Sequence, residues 1–113
     1  MKLTEKTVQD ITIVSVEGSI DALTAPDISK FMDELISSGK INLVADFSGV
    51  DYTSSAGLRV LLAAVKETRA KGGDFYLAGV QPDVQKVLTL SGFTSIIKTF
   101  TDSDQAVNTF HNH

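Results

Sequence analysis

The sequence predicts an α/β fold: a mixed, mostly parallel sheet with an antiparallel hairpin at one edge and about four helices. Strand and helix patterns follow the order β-β-α-β-α-β-α-β-α, and this alternation is typical of right-handed crossovers between parallel strands. Residues 41–47 (Ile-Asn-Leu-Val-Ala-Asp-Phe) are mostly apolar on both faces, as expected for a strand inside a covered sheet. The chain has 113 residues, and we expect one domain spanning residues 1–113.

The opening hairpin is predicted from two strand patterns. Residues 2–7 form a weak pattern suited to an edge, and residues 11–17 form a stronger one rich in β-branched side chains. Gln9 and Asp10 suit the turn between them, and Gly18 is expected to end the second strand.

The first helix is predicted to begin after Thr24. This residue is the expected N-cap, with Asp27 as its capping-box partner and Pro26 in the first turn, and Gly39 supplies the stop. Apolar residues at helical spacing form the inner face; they are Ile28, Phe31, Met32, Leu35 and Ile36.

The second half of the chain repeats the alternation. After strand 41–47, an amphipathic helix is expected to run up to Gly72 and Gly73, and its apolar positions are Leu58, Leu61, Leu62 and Val65. A strand over 75–80 and a short helix starting at Pro82 follow. The last predicted elements are a strand over 96–100 and a helix opened by Thr101 with Asp104.

Composition excludes several functions. The net charge of −4 argues against sequence-independent binding of nucleic acid, and the absence of cysteine excludes disulfides and a cysteine nucleophile. No apolar run is long enough to span a membrane, and the polar N-terminus lacks the core of a signal peptide, so we expect a cytoplasmic protein. The positive charges within residues 58–71 are either a solvated helix face or one rim of a protein interface; they are Arg59, Lys66, Arg69 and Lys71.

An enzyme is not expected. The only histidines, His111 and His113, lie in the terminal segment, and no Gly-x-Ser-x-Gly elbow is present. The glycine pair at 72–73 follows a helix instead of preceding one, so it is no phosphate loop. We predict no cofactor and no metal. The acids that could bind a hard cation are also explained by turn and cap roles; they are Asp21, Asp46 and Asp51.

Three consecutive hydroxyls, Thr53, Ser54 and Ser55, lie between the buried strand and the helix that follows it. Unpaired backbone N–H groups and the positive end of the helix dipole point outward at such a junction and favour an anion. A helix N-cap would explain only one of these hydroxyls. A simple helix start and an anion-accepting site therefore both remain open.

Four segments, in chain order, carry a pattern that covers nearly the whole sequence. They are residues 18–21 (Gly-Ser-Ile-Asp), 43–50 (Leu-Val-Ala-Asp-Phe-Ser-Gly-Val), 52–58 (Tyr-Thr-Ser-Ser-Ala-Gly-Leu) and 90–93 (Leu-Ser-Gly-Phe) with 96–97. They resemble the Gly-x-Leu-Asp loop, the central strand with its following loop, the Met-Asp-Ser-Ser/Thr/Ala-Gly-Leu signature and the late Ser-Gly-Leu/Phe turn of the STAS domain family. Within that family the chain is similar to the single-domain bacterial anti-sigma factor antagonists.

The resemblance implies a phosphorylation site. Ser55, two residues before Gly57, occupies the position of the family's phosphoacceptor, which a serine kinase that doubles as the anti-sigma factor modifies and a PP2C-type phosphatase restores. The family often has aspartate where this chain has Ser54, so Ser54 is an alternative acceptor. Ala56 replaces a hydroxyl that some members carry. The residues expected to contact the partner are Asp21, Thr53, Ser54, Ala56, Gly57 and Arg59.

The predicted function is a non-enzymatic partner switch. In its unphosphorylated form, the protein is expected to bind the anti-sigma factor kinase and so free a sigma factor. When it is phosphorylated on Ser55, it is expected to release the kinase. Asp21 is expected beside the junction, either as a second contact or as a turn residue that binds its own backbone. The alternative function is an accessory subunit or scaffold of a transporter or stressosome-like assembly, and a nucleotide-binding module is a third. No direct contact with nucleic acid or membrane is expected.

Overall fold

One five-stranded sheet organises the protein in a computed structural model, which describes residues 1–112. The strands lie side by side in chain order: β1 (Lys2–Val8), β2 (Ile11–Ile20), β3 (Asn42–Thr53), β4 (Asp74–Ala78) and β5 (Thr99–Phe100). β1 pairs with β2 in antiparallel fashion, and the other three pairings are parallel. The predicted α/β class, the mostly parallel sheet and the edge hairpin are confirmed.

Helices cover both faces of the sheet. They are α1 (Ala25–Ser37), α2 (Ser55–Ala70), α3 (Pro82–Leu90) and α4 (Ser103–His111), with a 3-10 turn at Phe93–Ser95. Because the parallel strands lie in chain order, α1, α2 and α3 are successive crossovers over the same face, and their apolar sides share one core with it. On the opposite face, α4 packs Ala106 and Val107 against β2, β3 and β4, and Phe110 stacks on Tyr76 with ring centroids 4.2 Å apart.

The two central strands are longer than predicted. Gly18 does not end β2, which continues to Ile20, and the loop expected after residue 47 belongs to β3 up to Thr53. Gly18 adopts φ +117°, a left-handed value open to glycine, and the pairing of β2 with β3 shifts register on either side of Glu17. These irregularities let two strands of unequal local length remain paired to their ends.

Two helix caps differ from the predictions. Thr24 has helical backbone angles and its side chain does not cap α1, so the proposed capping box with Asp27 does not form. Asp102, not Thr101, caps α4, because its carboxylate accepts a 2.9 Å hydrogen bond from the backbone N–H of Gln105. The predicted Pro26 in the first turn of α1 and Pro82 at the start of α3 are confirmed.

The last strand is shorter than predicted. Residues 96–98 follow the 3-10 turn and only Thr99–Phe100 pair with β4. Ile97 is nevertheless buried, because it packs into the core shared with α1, α2 and α3. The apolar residues that suggested a strand therefore lie in an irregular segment, where Ile97 contributes to the core.

Candidate functional site

The candidate site lies where β2 and β3 end and α2 begins. Ile20 and Thr53, the last residues of the two strands, are partners in the ladder. The backbone N–H of Ser54 then donates to the carbonyl of Ile20 at 2.8 Å. Ser54 is the N-cap of α2 and Ser55 is its first residue. The junction is therefore anchored to the ends of both central strands, at the edge formed by their carboxyl ends.

The three consecutive hydroxyls have different environments. Thr53 is buried, and its hydroxyl donates to the carbonyl of Ser54 at 3.2 Å. The Ser54 side chain caps the helix by accepting a 3.2 Å hydrogen bond from the N–H of Ala56. Ser55 is exposed, and its hydroxyl has no hydrogen-bond partner among residues 1–112. The cap thus accounts for Ser54 only, and the Ser55 hydroxyl remains available at the surface.

Gly57 allows α2 to start so close to the strands. A Cβ at this buried position would lie 2.8 Å from Cγ2 of Ile20 and even closer to the hydroxyl of Thr53. Real Cβ atoms are essentially never found at such distances, so one side or the other would have to move. The glycine in the signature therefore has a packing role: it brings the first turn of the helix, with Ser55, against the ends of β2 and β3.

Asp21 lies in the turn between β2 and α1, directly after Ile20. Its carboxylate accepts hydrogen bonds from the N–H of Leu23 at 2.9 Å and from the N–H of Thr24 at 3.0 Å. The backbone N–H of Thr24, followed by that of Leu23, lowers the pKa of the Asp21 carboxyl below its usual value. Asp21 is thus beside the junction, as expected, and its charge is engaged within its own turn.

A shallow groove separates α1 from α2 next to the junction. It has a volume of about 370 Å³. Arg59 is exposed at its side, one turn after Ser55, and forms no ion pair within residues 1–112. The other lining residues have mostly small side chains: Ala22, Ala25, Pro26, Ser29, Ala56, Val60 and Ala63.

Arg69, grouped with Arg59 in the sequence, has a structural role. It donates to Asp74 at 3.0 Å and to the carbonyl of Ile96 at 2.7 Å, and so ties the end of α2 to β4 and to the segment before β5. Lys71 is the C-cap residue of α2, at the far end from Ser55. The positive residues on this helix therefore do not form one surface.

The acids considered as cation ligands each have a local partner. Asp46 accepts from the N–H of Ser48 at 3.0 Å, and Asp51 accepts from the hydroxyl of Ser19 at 2.8 Å. Within residues 1–112, no group of three or more potential ligands is placed to hold a metal ion.

His111 lies 3.5 Å from Asp10, at the end of the sheet opposite the junction, and His113 lies outside the described residues. None of the helices in residues 1–112 combines the length and apolarity that a membrane span requires.

Fold and site together define a small α/β domain that displays the exposed hydroxyl of Ser55 at the start of α2. The chain belongs to the STAS family, because residues 2–106 match the STAS domain model. BtrV, a candidate anti-sigma factor antagonist of Bordetella bronchiseptica, is 31% identical over 110 residues, which cover 97% of this chain and 95% of BtrV. The matching relatives are named as anti-sigma factor antagonists, which are regulatory binding proteins and not enzymes, in agreement with the prediction.

Solved structures share the fold at low identity. A candidate anti-sigma factor antagonist from Thermotoga maritima superposes with a TM-score of 0.89 at 24% identity, over 94% of this chain and 92% of that one. The anti-sigma factor antagonist SpoIIAA in its unphosphorylated form gives 0.84 at 18% identity, over 99% and 98% of the chains. These likenesses confirm the STAS fold predicted from the sequence.

The structure brings the predicted site residues together: 53–57 form the junction, Arg59 follows one turn later and Asp21 lies in the adjoining turn. Sequence reasoning missed two exposed apolar side chains at the same edge, Leu23 and Tyr52. An available signal was the position of Leu23, an apolar residue in a segment that fits neither the preceding strand pattern nor the helix pattern after it.

Proposed function

We propose that this protein is an anti-sigma factor antagonist that changes partners through phosphorylation of Ser55. Unphosphorylated, it binds an anti-sigma factor serine kinase and thereby frees a sigma factor; phosphorylated, it releases the kinase until a PP2C-type phosphatase removes the phosphate. The observation that carries this proposal is the exposed Ser55 hydroxyl at the first residue of α2, which has no hydrogen-bond partner within residues 1–112. The names of the relatives support the antagonist function. Such a switch would act in the cytoplasm, without direct contact with nucleic acid or membrane.

A phosphate at this position suits the proposed switch physically. It adds about −1.5 to −2 charges and three acceptor oxygens. The start of α2 offers free backbone N–H groups and the positive end of the helix dipole, so the phosphate can be accommodated without a change in fold. A partner docked over Ser55 would instead have to desolvate a dianion, which is costly unless the charge is paired. Phosphorylation would therefore weaken the complex and leave the domain folded.

Ser55 is a better acceptor than Ser54. The Ser54 hydroxyl oxygen accepts from the N–H of Ala56, so phosphorylation there would compete with the helix cap. Among residues 1–112, nothing forms such a bond with the Ser55 hydroxyl. The test incubates the protein with ATP and a candidate serine kinase of the histidine-kinase-like ATPase class from the same organism, and maps the phosphopeptides. One phosphate is expected on Ser55, lost in Ser55→Ala and retained in Ser54→Ala. Phosphate mainly on Ser54 would contradict the assignment, and no phosphorylation would favour the accessory-subunit or scaffold function.

The proposed footprint covers the junction, the turn with Asp21 and the first turns of α2. Arg59 lies one turn after Ser55 on the same helix face, whereas Lys71 lies at the other end of the helix. Asp21→Ala and Arg59→Glu are therefore expected to weaken kinase binding, and Lys71→Glu, the matched charge reversal, much less. Central interface residues can matter by about 2 kcal/mol or more, and rim charges usually matter little. Titration calorimetry decides, and equal, negligible effects at all three positions would place the interface elsewhere.

A further inference from the structure

Leu23 is a large apolar side chain displayed on a turn. It is 87% exposed, in the segment between β2 and α1. Single exposed apolar residues are common and need no explanation by themselves. Two observations set Leu23 apart: the rigidity of its turn and its position relative to Ser55.

The turn that carries Leu23 is held by a dense set of hydrogen bonds. The Asp21 carboxylate accepts from the N–H groups of Leu23 and Thr24 at 2.9 and 3.0 Å. The Thr24 hydroxyl donates to the carbonyl of Ser19 at 2.9 Å and accepts from the N–H of Asp21 at 2.9 Å. The backbone of the turn is thus ordered before any partner arrives. Because this backbone is already ordered, binding through a residue on the turn costs less conformational entropy than binding through a residue on a free loop.

The same turn lies next to the proposed switch. It follows Ile20, whose carbonyl accepts from the N–H of Ser54, one residue before Ser55. Tyr52, which is 54% exposed, is the ladder partner of Ser19 at the same edge. A partner whose affinity depends on a phosphate at Ser55 has to cover this edge, and the apolar side chains on it then lose contact with water.

We propose that Leu23, with Tyr52 at the same edge of the sheet, is the apolar anchor of the partner interface, and that Asp21 is a positioning residue that holds the anchor's turn. This inference rests on the proposed function. The partner surface it requires belongs to the anti-sigma factor kinase. It is an apolar recess that admits a branched aliphatic side chain, with an acidic group placed to meet Arg59, which forms no ion pair within the described residues 1–112. Anchors buried at the centre of an interface commonly dominate its affinity, while the surrounding contacts exclude water.

The first test compares Leu23→Ala with Leu90→Ala. Leu90 is a matched control: it is also a leucine, it is 81% exposed, and it ends α3, which runs from the carboxyl end of β4 toward the opposite edge of the sheet. Affinity for the same candidate kinase is measured by titration calorimetry on the unphosphorylated full chain. We expect Leu23→Ala to weaken binding about tenfold or more and Leu90→Ala less than about twofold, with both melting temperatures unchanged. Equal effects of the two variants would overturn the anchor.

The second test asks what Asp21 contributes. Asp21→Asn removes the charge but keeps an oxygen that can accept from the N–H groups of Leu23 and Thr24, whereas Asp21→Ala removes both. If Asp21 is a positioning residue, the affinity of Asp21→Asn for the kinase should stay within about threefold of the wild-type affinity. Asp21→Ala should lose nearly as much affinity as Leu23→Ala. In a Leu23→Ala background, Asp21→Ala should cause little further loss of affinity, because the anchor side chain has already been removed. If Asp21→Asn is as damaging as Asp21→Ala, the partner reads the charge and the positioning role is wrong.

Ser55→Asp, measured in the same series, separates this inference from the function on which it rests. If Ser55→Asp weakens binding and Leu23→Ala does not, the anchor is wrong and the switch stands. If Leu23→Ala weakens binding and Ser55→Asp does not, the anchor stands and the phosphorylation switch fails. If neither variant changes the affinity, or if the kinase does not bind the wild-type chain, both are wrong.

Discussion

Gly57→Ala is expected to destabilise the junction, even though alanine normally stabilises a helix more than glycine does. The added methyl group would lie 2.8 Å from Cγ2 of Ile20 and would overlap the hydroxyl of Thr53. Both neighbours are buried, at 2% and 3% exposure, and both end a strand of the central sheet, so neither has open space to move into. The substitution therefore has two opposing effects on stability: a gain in helix propensity and a loss from steric overlap of the added methyl group.

The magnitude follows from these two opposing terms. Overpacking a well-filled site costs typically about 1–3 kcal/mol. Replacing glycine by alanine inside a helix contributes about 0.8–1 kcal/mol in favour of folding. Because the contacts at Gly57 are so short, we take the upper part of the first range and expect a net loss of about 1–2 kcal/mol in the free energy of unfolding. For a domain of this length, that corresponds to a fall of roughly 4–8 °C in melting temperature.

Urea denaturation followed by circular dichroism measures the effect. Ala63→Gly, at an exposed position in the middle of α2, is the control that reports the helix propensity term alone. Thr53→Ala removes the nearest obstructing atom, so the cost of Gly57→Ala should fall by at least about 0.5 kcal/mol in that background. A Gly57→Ala protein that is more stable than the wild type, by the amount the Ala63 control predicts, would refute the packing argument.

Three further predictions concern the same helix. Ser54→Ala should lower the free energy of unfolding by about 1 kcal/mol in urea denaturation, because the N–H of Ala56 loses its acceptor, while Ser54→Asp, which can still cap, should lose less. Ser55→Asp should leave the melting temperature nearly unchanged or slightly higher, since a carboxylate at a helix start contributes about 0.3–1 kcal/mol; a substantial drop would mean that Ser55 is not free at the surface. Glu67 has a raised pKa, from its own desolvation and then from the charge of Asp33, so its ionisation opposes folding above that pKa and has no effect below the ordinary value. Glu67→Gln should therefore raise the melting temperature at neutral pH and not in acid, and an equal rise at both pH values would contradict the assignment.

The sequence by itself determined the fold class and the order of the elements, and it predicted the place of the candidate site. Hydrophobic periodicity is a local signal, and it marked the hairpin, the buried central strand and the helix after Ser55, all of which the structure has. The cluster of hydroxyls could be located for the same reason, because a strand pattern stops and a helix pattern starts around it. Resemblance at residues 52–58 then supplied an expectation for Ser55 that no spacing argument could supply.

Only the tertiary structure decided how the three hydroxyls differ and what surrounds them. Thr53 is buried because α2 closes over the strand ends, Ser54 caps because its N–H is held by Ile20, and Ser55 is left facing solvent. The extension of β2 to Ile20 and the exposure of Leu23 are likewise consequences of pairing and packing with residues far away in the chain. A one-dimensional pattern records which residues prefer burial. It does not record which hydrogen-bond partner or which neighbour reaches them, because those are set by contacts between elements that are distant in sequence.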